Sequence, residues 1–598
     1  ATVEIENIHR QMATGKPLIQ AILDGAREIA LPAFVSTLCI CIVFVPMFFL
    51  TGVARYLFVP MAEAVVFAML ASYVLSRTLV PTMAKYLLHA HEPHGTGAAS
   101  RNPLVQIQRA IDRGFVRMRN GYRALLEQCV DSRRLFAVLF LGACLASLLL
   151  ARWVGEDFFP AVDGGQFKLH LRAASGTRIE ETAMLADHVE DALHEIIPAG
   201  ELAGVIDNIG LPYSGLNLSY STSAPIGPGD ADIMVSLGKG HRPTAAYIHD
   251  LRMSLPKRFP GVTFSFVPAD IVTQILNFGL PAPIDIQVVG RNIAANRVFA
   301  GRLVSKLAQV SGIADLRVQQ EFNQPRLHLN VDRTRAAQLG LTQRDVATNL
   351  LISLSGSSQT TPTWWLNPAT GVSYAVATQT PQYRVASLQD LGNIPLTGAA
   401  RAQTLQGLAT VSRDVGTQVA SHYNVSPVID IYGAAQGRDL GSVARDINPI
   451  LAAAQKELPR GSQIIVRGQI DTMTTSFVGL LAGLALAIVL VYLLIVVNFQ
   501  SWLDPFIIIS ALPAALAGIV WFLFLSHTTF SVPSLTGAIM CMGVATANSI
   551  LVVSFAKERL ESGVGAAAAA VEAGFTRFRP VLMTALAMII GMVPMAFG

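Results

Sequence analysis

The sequence has 598 residues, of which 52% are hydrophobic and only 14% are charged. A soluble protein carries closer to a quarter charged residues, so long stretches of this chain are expected to face lipid. The formal net charge of +4 is small for the length and argues against a nucleic-acid-binding surface, which needs clustered basic residues. The five cysteines show neither CxxC nor Cys/His spacing, so no disulfide framework and no structural metal site are expected.

Apolar runs long enough to cross a bilayer recur along the chain, since about 20 helical residues span a hydrocarbon core of about 30 Å. Six or seven such runs are predicted, and the second is the weakest because it contains Glu63 and Arg77. They lie at approximately Leu31–Leu50, Val59–Val80, Leu135–Trp153, Phe477–Asn498, Pro505–Leu525, Ser534–Phe555 and Pro580–Gly598. The sequence therefore predicts a polytopic α-helical membrane protein.

The placement of arginine and lysine predicts the orientation of these helices, because basic loops are retained on the cytoplasmic side. The segment Lys85–Arg134 contains many arginines and few acidic residues. We expect it to be cytoplasmic, with Val105–Leu126 as an amphipathic helix on the membrane surface. Counting helices outward from this loop places residues 155–475 in the periplasm and Lys557–Arg579 in the cytoplasm.

The large extramembrane part alternates strand and helix patterns. From Gln166 to Val267 the order is βαββαβ, which is typical of a ferredoxin-like unit. A second pass begins at Ile284 and resumes at Pro427. Between them lies a segment rich in Gly, Thr and Pro that contains Trp364 and Trp365. We predict two small α+β units, the second carrying an inserted subdomain.

An internal repeat relates the two ends of the chain. Residues 21–50 superpose on residues 569–598 without a gap, sharing the pattern Pro-x5-Leu-x3-Ile-x2-Val-Pro-Met-x-Phe. Apolar segments match easily by composition, but this fixed spacing is hard to obtain by chance. We interpret it as a duplication, and parallel repeats about an axis normal to the membrane are a known transporter architecture.

Four segments of the chain carry a resemblance to a known family. They are Ala1–Ile8, Phe158–Gln166, Gly543–Ile550 and Arg577–Thr584. In this order they resemble segments of the inner-membrane permease subunit of the resistance-nodulation-division (RND) efflux transporters of the acriflavine-resistance type. The first resembles the stretch after an intramembrane aspartate pair in the fourth helix, and the second the passage from helix seven into the periplasmic loop. The third resembles helix ten, and the fourth the start of helix eleven. We therefore interpret both ends of the chain as lying inside a longer protein.

The resemblance implies a polytopic α-helical membrane protein with a large α+β periplasmic insertion, made of ferredoxin-like (βαββαβ) porter subdomains and a docking subdomain. Residues 1–84 would contain the end of helix four with helices five and six, and residues 85–134 a cytoplasmic loop with an amphipathic helix. Helix seven would follow over 135–154. The periplasmic porter subdomains would span 155–475, with the docking insertion at about 355–419, and helices eight to eleven would span 476–598.

The family also implies a function and partners. Its members form homotrimers in the bacterial inner membrane, with a periplasmic adaptor protein and an outer-membrane channel. They use the proton gradient to export amphiphilic drugs, dyes, detergents or metal ions. We expect a transporter and no enzyme, with no cofactor, and the lack of a Walker motif argues against direct use of ATP.

Proton coupling requires ionisable groups within the bilayer. The family's aspartate pair would lie just before Ala1, and Ala547 stands where many drug exporters carry a lysine. The candidate relay residues are Thr546, Asn548, Thr584 and Arg577. The alternative for the first three is ordinary packing of small polar residues between helices, and for the arginine a positive-inside anchor.

Three acidic residues, Glu4, Glu6 and Glu63, lie in or beside the predicted membrane helices. Glu63 is interpreted either as a relay group or as a residue near the membrane interface. Glu4 and Glu6 belong to the cytoplasmic end of a helix and are expected to be solvated.

Substrate contacts are expected from apolar and aromatic residues of the porter cleft, because amphiphiles are held mainly by burial. The candidates are Tyr213, Leu216, Tyr220, Phe264 and Phe266. The alternative for the two phenylalanines is filling of a subdomain core, since they lie two apart on one strand. Trp364 and Trp365 are interpreted as packing between protomers or against an adaptor.

Proton-driven efflux of drugs or other amphiphiles is the first hypothesis. Two alternatives remain open: a heavy-metal cation exporter, and a non-pumping relative that handles lipid or acts as a receptor. The scattered positions of Met184, Met234 and Met253 give only weak support for a soft-metal path.

Overall fold

The computed structural model describes residues 2–50, 52–88, 103–160, 162–212, 225–397 and 403–597. The chain begins with long helices, some of them strongly apolar. They are α1 (Thr2–Ala13), α2 (Leu18–Val43), α3 (Gly52–Leu87), α4 (Pro103–Asp131) and α5 (Arg133–Leu149), with 3-10 turns at Val45–Phe49 and Leu150–Arg152.

A first α+β unit follows α5. Its elements are β1 (Gln166–Arg172), α6 (Ile179–Ile196), β2 (Leu202–Ile209), β3 (Asp230–Leu237), α7 (Thr244–Arg258) and β4 (Thr263–Val267). The strands form an antiparallel sheet in the order β2-β3-β1-β4. Alternate residues of β1, namely Phe167, Leu169 and Leu171, are buried in one core with residues of α6 and α7. The period-two pattern of the strand therefore sends Lys168, His170 and Arg172 to the other face.

A second α+β unit begins after α8 (Ile271–Leu276). Its elements are β5 (Ile284–Val289), α9 (Ile293–Leu307) and β6 (Ile313–Val318), then, after an inserted part, β14 (Ser426–Ala435), α13 (Leu440–Ala454), the turn Gln455–Glu457 and β15 (Gln463–Gly468). With β13 (Ser421–Tyr423) at one edge, the sheet has the order β13-β14-β5-β15, and β6 also pairs with β14. Apolar residues of β5, α9, β14 and α13 form its core.

The inserted part has a small core of its own. Its elements are β7 (Gln324–Val331), α10 (Arg333–Gln338), α11 (Gln343–Ser355), β8 (Thr363–Leu366), β9 (Ser373–Val376), α12 (Leu388–Gly392), β10 (Pro395–Leu396), β11 (Gln403–Thr404), β12 (Ala409–Gly416) and β13 (Ser421–Tyr423), with turns at Ser357–Gln359, Gln382–Arg384 and Leu405–Gly407. Strands β7 and β12 form a two-stranded antiparallel ribbon. Val346 and Leu350 of α11 pack with Leu396 and Leu405, so α11 shares this core.

The chain then returns to long apolar helices. They are α14 (Gln469–Phe499), α15 (Asp504–Ile509), α16 (Leu512–Leu525), α17 (Val532–Glu561) and α18 (Ala566–Phe597). By length and composition, seven segments of the described chain could cross a membrane, and each overlaps one of the predicted runs. They are Leu18–Phe49, Ala54–Leu87, Arg133–Arg152, Gln469–Phe499, Asp504–Leu525, Val532–Glu561 and Ala566–Pro594. The expected fold is thus confirmed at the level of a polytopic helical protein with a large domain of sheets and helices.

Two junctions join the mixed domain to the long helices. At the first, Gly468 ends β15 and α14 begins at the next residue, with the Gln469 backbone N–H donating to the Pro283 carbonyl at 2.8 Å. At the second, the loop after α5 is tied to the loop before α17 by hydrogen bonds between Asp157 and Phe530 (2.8 Å) and between Phe530 and Gly155 (2.7 Å).

Candidate functional site

The three small polar relay candidates lie on the last two helices. Thr546 is buried, with 1% of its surface exposed, and Asn548 is half-buried, both on α17. The hydroxyl of Thr584 donates to the carbonyls of Pro580 (3.0 Å) and Val581 (2.9 Å), so it serves the backbone of its own helix, α18. These contacts do not test a role in proton transfer, so the relay stays a prediction.

Arg577 lies near the start of α18 and is only 8% exposed. Its guanidinium stands over the ring of Phe555 at 5.1 Å, and the guanidinium of Arg10 lies 5.4 Å from the same ring. Among the described residues Arg577 forms no ion pair, and its Nε has no hydrogen-bond partner. This arrangement differs from an ordinary solvated anchor, because the charge is buried beside a second cation.

Two acidic residues of α1 and α2, Glu4 and Glu28, form ion pairs with arginines of neighbouring helices. Glu4 of α1 forms an ion pair with Arg77 of α3 and is only 1% exposed, so the expectation that Glu4 is solvated is wrong. Glu28 of α2 is paired with Arg10 and accepts from Gln11 at 2.8 Å. These bonds fix α1 against α2 and α3 with the charges neutralised, as burial of charge requires. Glu63 instead is exposed and borders an apolar groove.

The predicted substrate contacts divide into two groups. Tyr213, Leu216 and Tyr220 lie outside the described residues. Phe266 is buried in the core of the first unit, 5.9 Å from the ring of Phe167, and Phe264 packs against the same core. This placement favours core filling over substrate contact for the two phenylalanines.

The opposite face of the first sheet carries a buried polar cluster that pattern reading missed. Nδ1 of His170 lies 2.8 Å from Oδ1 of Asp232, and His170 is only 1% exposed. Arg172 donates to both carboxylate oxygens of Asp230, at 2.8 and 3.0 Å. Nε2 of His170 and Oδ2 of Asp232 have no hydrogen-bond partner among the described residues.

The electrostatics of this cluster follow from its burial. Loss of solvent lowers the pKa of His170 below its ordinary value, although the Asp232 carboxylate acts in the opposite direction. Burial also lowers the pKa of Arg317, on β6 of the second unit, to about 10. The sequence signal was the alternation of Lys168, His170 and Arg172 on β1, a pattern that by itself predicts a solvated face.

A comparable polar set lies on the sheet of the second unit. The amide of Gln287 donates to Oδ2 of Asp285 at 2.9 Å and to Oδ1 of Asp430 at 3.0 Å. Burial, together with the nearby charge of Asp430, raises the pKa of Asp285 to about 8. Asp285 is therefore largely protonated at neutral pH, which allows two carboxyl groups to share one amide.

One ion pair joins the two units. Arg252 of α7 donates through Nε to Oδ1 of Asp315 at 2.9 Å, and the backbone N–H of Phe266 donates to Oδ2 of the same carboxylate at 3.0 Å. Asp315 belongs to β6, so this carboxylate holds the edge strands of both sheets together.

A resident metal site is not formed by the part of the chain that the structure describes. No group of three His, Cys, Asp or Glu residues there is placed to hold a metal ion. The imidazole of His170 and the carboxylate of Asp232 are metal-binding groups by chemistry, but the neighbouring Asp230 is already paired with Arg172.

Comparison with known proteins identifies the class. The chain belongs to the AcrB/AcrD/AcrF family, whose model matches residues 1–598, and the resemblance to the RND permeases is confirmed. Three relatives match the chain almost throughout, although it spans only about half of their length. The nickel and cobalt resistance protein CnrA of Cupriavidus metallidurans is 26% identical over 99% of this chain and 54% of its own. The cobalt-zinc-cadmium resistance protein CzcA of the same organism is 25% identical over 100% and 56%. The multidrug resistance protein MdtC of Salmonella enteritidis is 25% identical, also over 100% and 56%.

Solved structures agree on the fold. Two crystal forms of a heavy metal efflux pump superpose on this chain with TM-scores of 0.76 and 0.78 at 23% identity. They match 99% and 100% of this chain and 55% and 57% of those chains. At this identity the likeness supports the fold alone.

Proposed function

We propose that this chain is part of a secondary export permease of the bacterial inner membrane and that its substrate is a heavy-metal cation. The observation that carries the substrate class is that CnrA and CzcA, both named for resistance to nickel, cobalt, zinc or cadmium, match essentially the whole chain. This reverses the order of the two hypotheses drawn from the sequence, in which drugs came first.

The architecture supports export out of the membrane. Two α+β units, which we propose to be ferredoxin-like porter subdomains, stand between two sets of membrane-length helices. The inserted part would be the docking subdomain. Its hairpin of β8 and β9 exposes Trp364, Trp365 and Tyr374, and exposed aromatic clusters suit contact with another protein chain. Family membership supports a homotrimer with an adaptor and an outer-membrane channel as its partners.

We propose that His170 and Asp232 meet the cation in the first unit. Imidazole and carboxylate are ligands that divalent transition metals accept, and Nε2 of His170 and Oδ2 of Asp232 have no hydrogen-bond partner among the described residues, although Asp230 lies 4.0 Å from that Nε2. The buried imidazole has a lowered pKa, so it is neutral and able to ligate at neutral pH. The positive charges of Arg172 and Arg317 would repel a cation bound here, so we propose that the cation binds only transiently during transport.

Drug export is the second candidate, because MdtC matches all of this chain at 25% identity, over 56% of its own length. An apolar groove of about 590 Å³, lined by Leu38, Val45, Phe67 and Leu494 with Glu63 at its edge, is a feature that suits an amphiphile. Proton coupling through Thr546, Asn548, Thr584 and Arg577 is proposed for either substrate.

The test is resistance conferred by the full-length permease in a strain that lacks its own exporters. We expect higher tolerance of cobalt, nickel, zinc or cadmium, and little change for drugs and dyes. His170→Asn and Asp232→Asn should reduce metal tolerance, whereas Asp207→Asn, an exposed carboxylate on β2, should not. Tolerance of drugs without tolerance of metals would reject the cation and support the second candidate.

A further inference from the structure

A cavity of about 780 Å³ opens at the end of the helix bundle where the basic residues collect. It lies between α1, α4 and α18, and the positive-inside rule places this end at the cytoplasmic face. Its lining includes four arginines against a single carboxylate, that of Glu6, among the described residues. The arginines are Arg10, Arg119, Arg577 and Arg579.

Aromatic rings rather than carboxylates hold most of these guanidinium groups. Arg119 lies 4.3 Å from the ring centre of Phe575, and Arg579 lies 5.4 Å from that of Phe115. A guanidinium stacked on a ring keeps its N–H groups free for an anion. Among the described residues, the Nε atoms of Arg10, Arg119 and Arg577 are buried and have no hydrogen-bond partner.

Arg577 is the central observation. It is more than nine-tenths buried, forms no ion pair within the described chain, and shares the ring of Phe555 with Arg10. Arg10 is already paired with Glu28, whereas Arg577 has no such partner among the described residues, so an anion beside Arg577 would neutralise its charge and accept the unused hydrogen bond of its Nε.

Aromatic contacts also hold α4 against α18, so the cavity has a fixed wall. The rings of Tyr122 and Phe578 stack at 4.6 Å, and a side chain on Gly574 would meet Leu126 at 2.6 Å. The lining also includes apolar side chains, among them Ile5, Pro580 and Met583, beside the polar Asn7, His9 and Thr576. Basic groups beside apolar ones at a membrane surface match a phosphate attached to a glycerol backbone.

We propose that this cavity binds the phosphate of an anionic phospholipid of the cytoplasmic leaflet. The lipid would neutralise Arg577 and fasten α4 to α18 at the membrane surface. The site does not depend on which substrate the permease exports, and its test is separate from the resistance test.

The experiment uses the full-length permease in phosphatidylcholine nanodiscs that contain a small fraction of phosphatidylglycerol. Native mass spectrometry counts the phosphatidylglycerol retained by each protomer. Replacement of Arg119 and Arg579 by glutamine should weaken retention by about fivefold for each arginine removed. The matched control replaces Arg117 of α4 and Arg133 at the start of α5, two exposed arginines that do not line the cavity. The control should retain the lipid as the wild type does.

Two outcomes would overturn the proposal. Equal retention of phosphatidylglycerol by the cavity variant and the control variant would mean that the cavity arginines contribute no more than any other surface arginine. Displacement of the lipid by millimolar inorganic phosphate would reassign the site to a soluble phosphate compound. The single variant Arg579→Gln, at an exposed position, is measured in parallel because its removal should leave folding intact.

Discussion

A Cβ atom placed on Gly483 would lie 2.7 Å from Cβ of Pro46. Gly483 belongs to α14, and Pro46 to the 3-10 turn that follows α2, so only glycine lets the helix approach the turn this closely. We expect Gly483→Ala to destabilise the full-length protein by about 1–3 kcal/mol through overpacking. The measurement is the unfolding temperature in nanodiscs. Gly479→Ala is the control, since its Cβ would sit 3.8 Å from Leu50, an ordinary contact. An equal effect of both variants would contradict this account of the packing.

Asp285 makes stability depend on pH. Its pKa is raised to about 8, because it is buried beside Asp430, whereas its ordinary value is 3.8. The folded state therefore holds a proton that the unfolded state has released between about pH 4 and pH 8. The associated stability is complete below pH 4 and is lost as the pH rises through 8, at about 1.4 kcal/mol per pH unit.

Asp285→Asn removes this proton and should flatten that dependence. The unfolding temperature of the variant, compared with that of the wild type at pH 6 and pH 9, should show a gain that grows with pH. Asp207→Asn, at an exposed site, should leave the profile unchanged. Parallel profiles for Asp285→Asn and the wild type would mean that Asp285 is ionised in the folded protein.

The carboxylate of Asp315 should hold the two α+β units together. Asp315→Ala removes the partners of both Arg252 and the Phe266 N–H, and a buried guanidinium left alone costs about 3 kcal/mol. Its backbone φ of 55° also disfavours alanine. Hydrogen exchange of β4 and β6 should accelerate. Asp315→Asn keeps an acceptor and tolerates that backbone conformation, so its exchange should lie between alanine and the wild type. Unchanged exchange in the alanine variant would rule out this role.

Asp439 caps the start of α13 and also binds the loop that connects α5 to the mixed domain. Its carboxylate accepts from Ser442 at the start of α13 (2.8 Å) and from the backbone of Glu156 (2.9 Å) in the loop after α5. Asp439→Ala should cost about 1–2 kcal/mol and also reduce transport. Asp332→Ala removes a comparable cap from α10, away from the junction, and should affect stability alone. Full transport by Asp439→Ala, at normal expression, would show that the junction is not needed for coupling.

The membrane helices could be predicted from the sequence because a helix that crosses lipid needs a continuous run of about 20 mostly apolar residues, and such a run is visible in the local sequence. The order of strands and helices from Gln166 to Val267 was predictable for a similar reason, since strand and helix periods differ. The strand pattern allows a core position for Phe266 as an alternative to substrate contact, but it does not show which face of the strand is covered by a helix.

The paired charges could not be predicted, because each depends on residues far apart in the chain. Glu4 and Arg77 are 73 positions apart in the sequence, and the local pattern around either residue does not indicate that they form an ion pair. His170 meets Asp232 only because β1 and β3 are neighbours in the sheet. Arg172 on the same face also donates to the Gln319 carbonyl of the second unit, a contact that follows from tertiary packing alone.

The passage from β15 to α14 without an intervening loop has a mechanical consequence. Gly468, at φ 80°, is the last residue of the strand and directly precedes the helix, and a side chain there would lie 2.5 Å from the Pro283 carbonyl oxygen. The joint is therefore stiff. A helix of 31 residues is about 46 Å long, so a pivot of about 5° at its far end would carry the strand sideways by about 4 Å. A small tilt of α14 inside the bilayer would thus move β15, and with it the second sheet, by several ångströms.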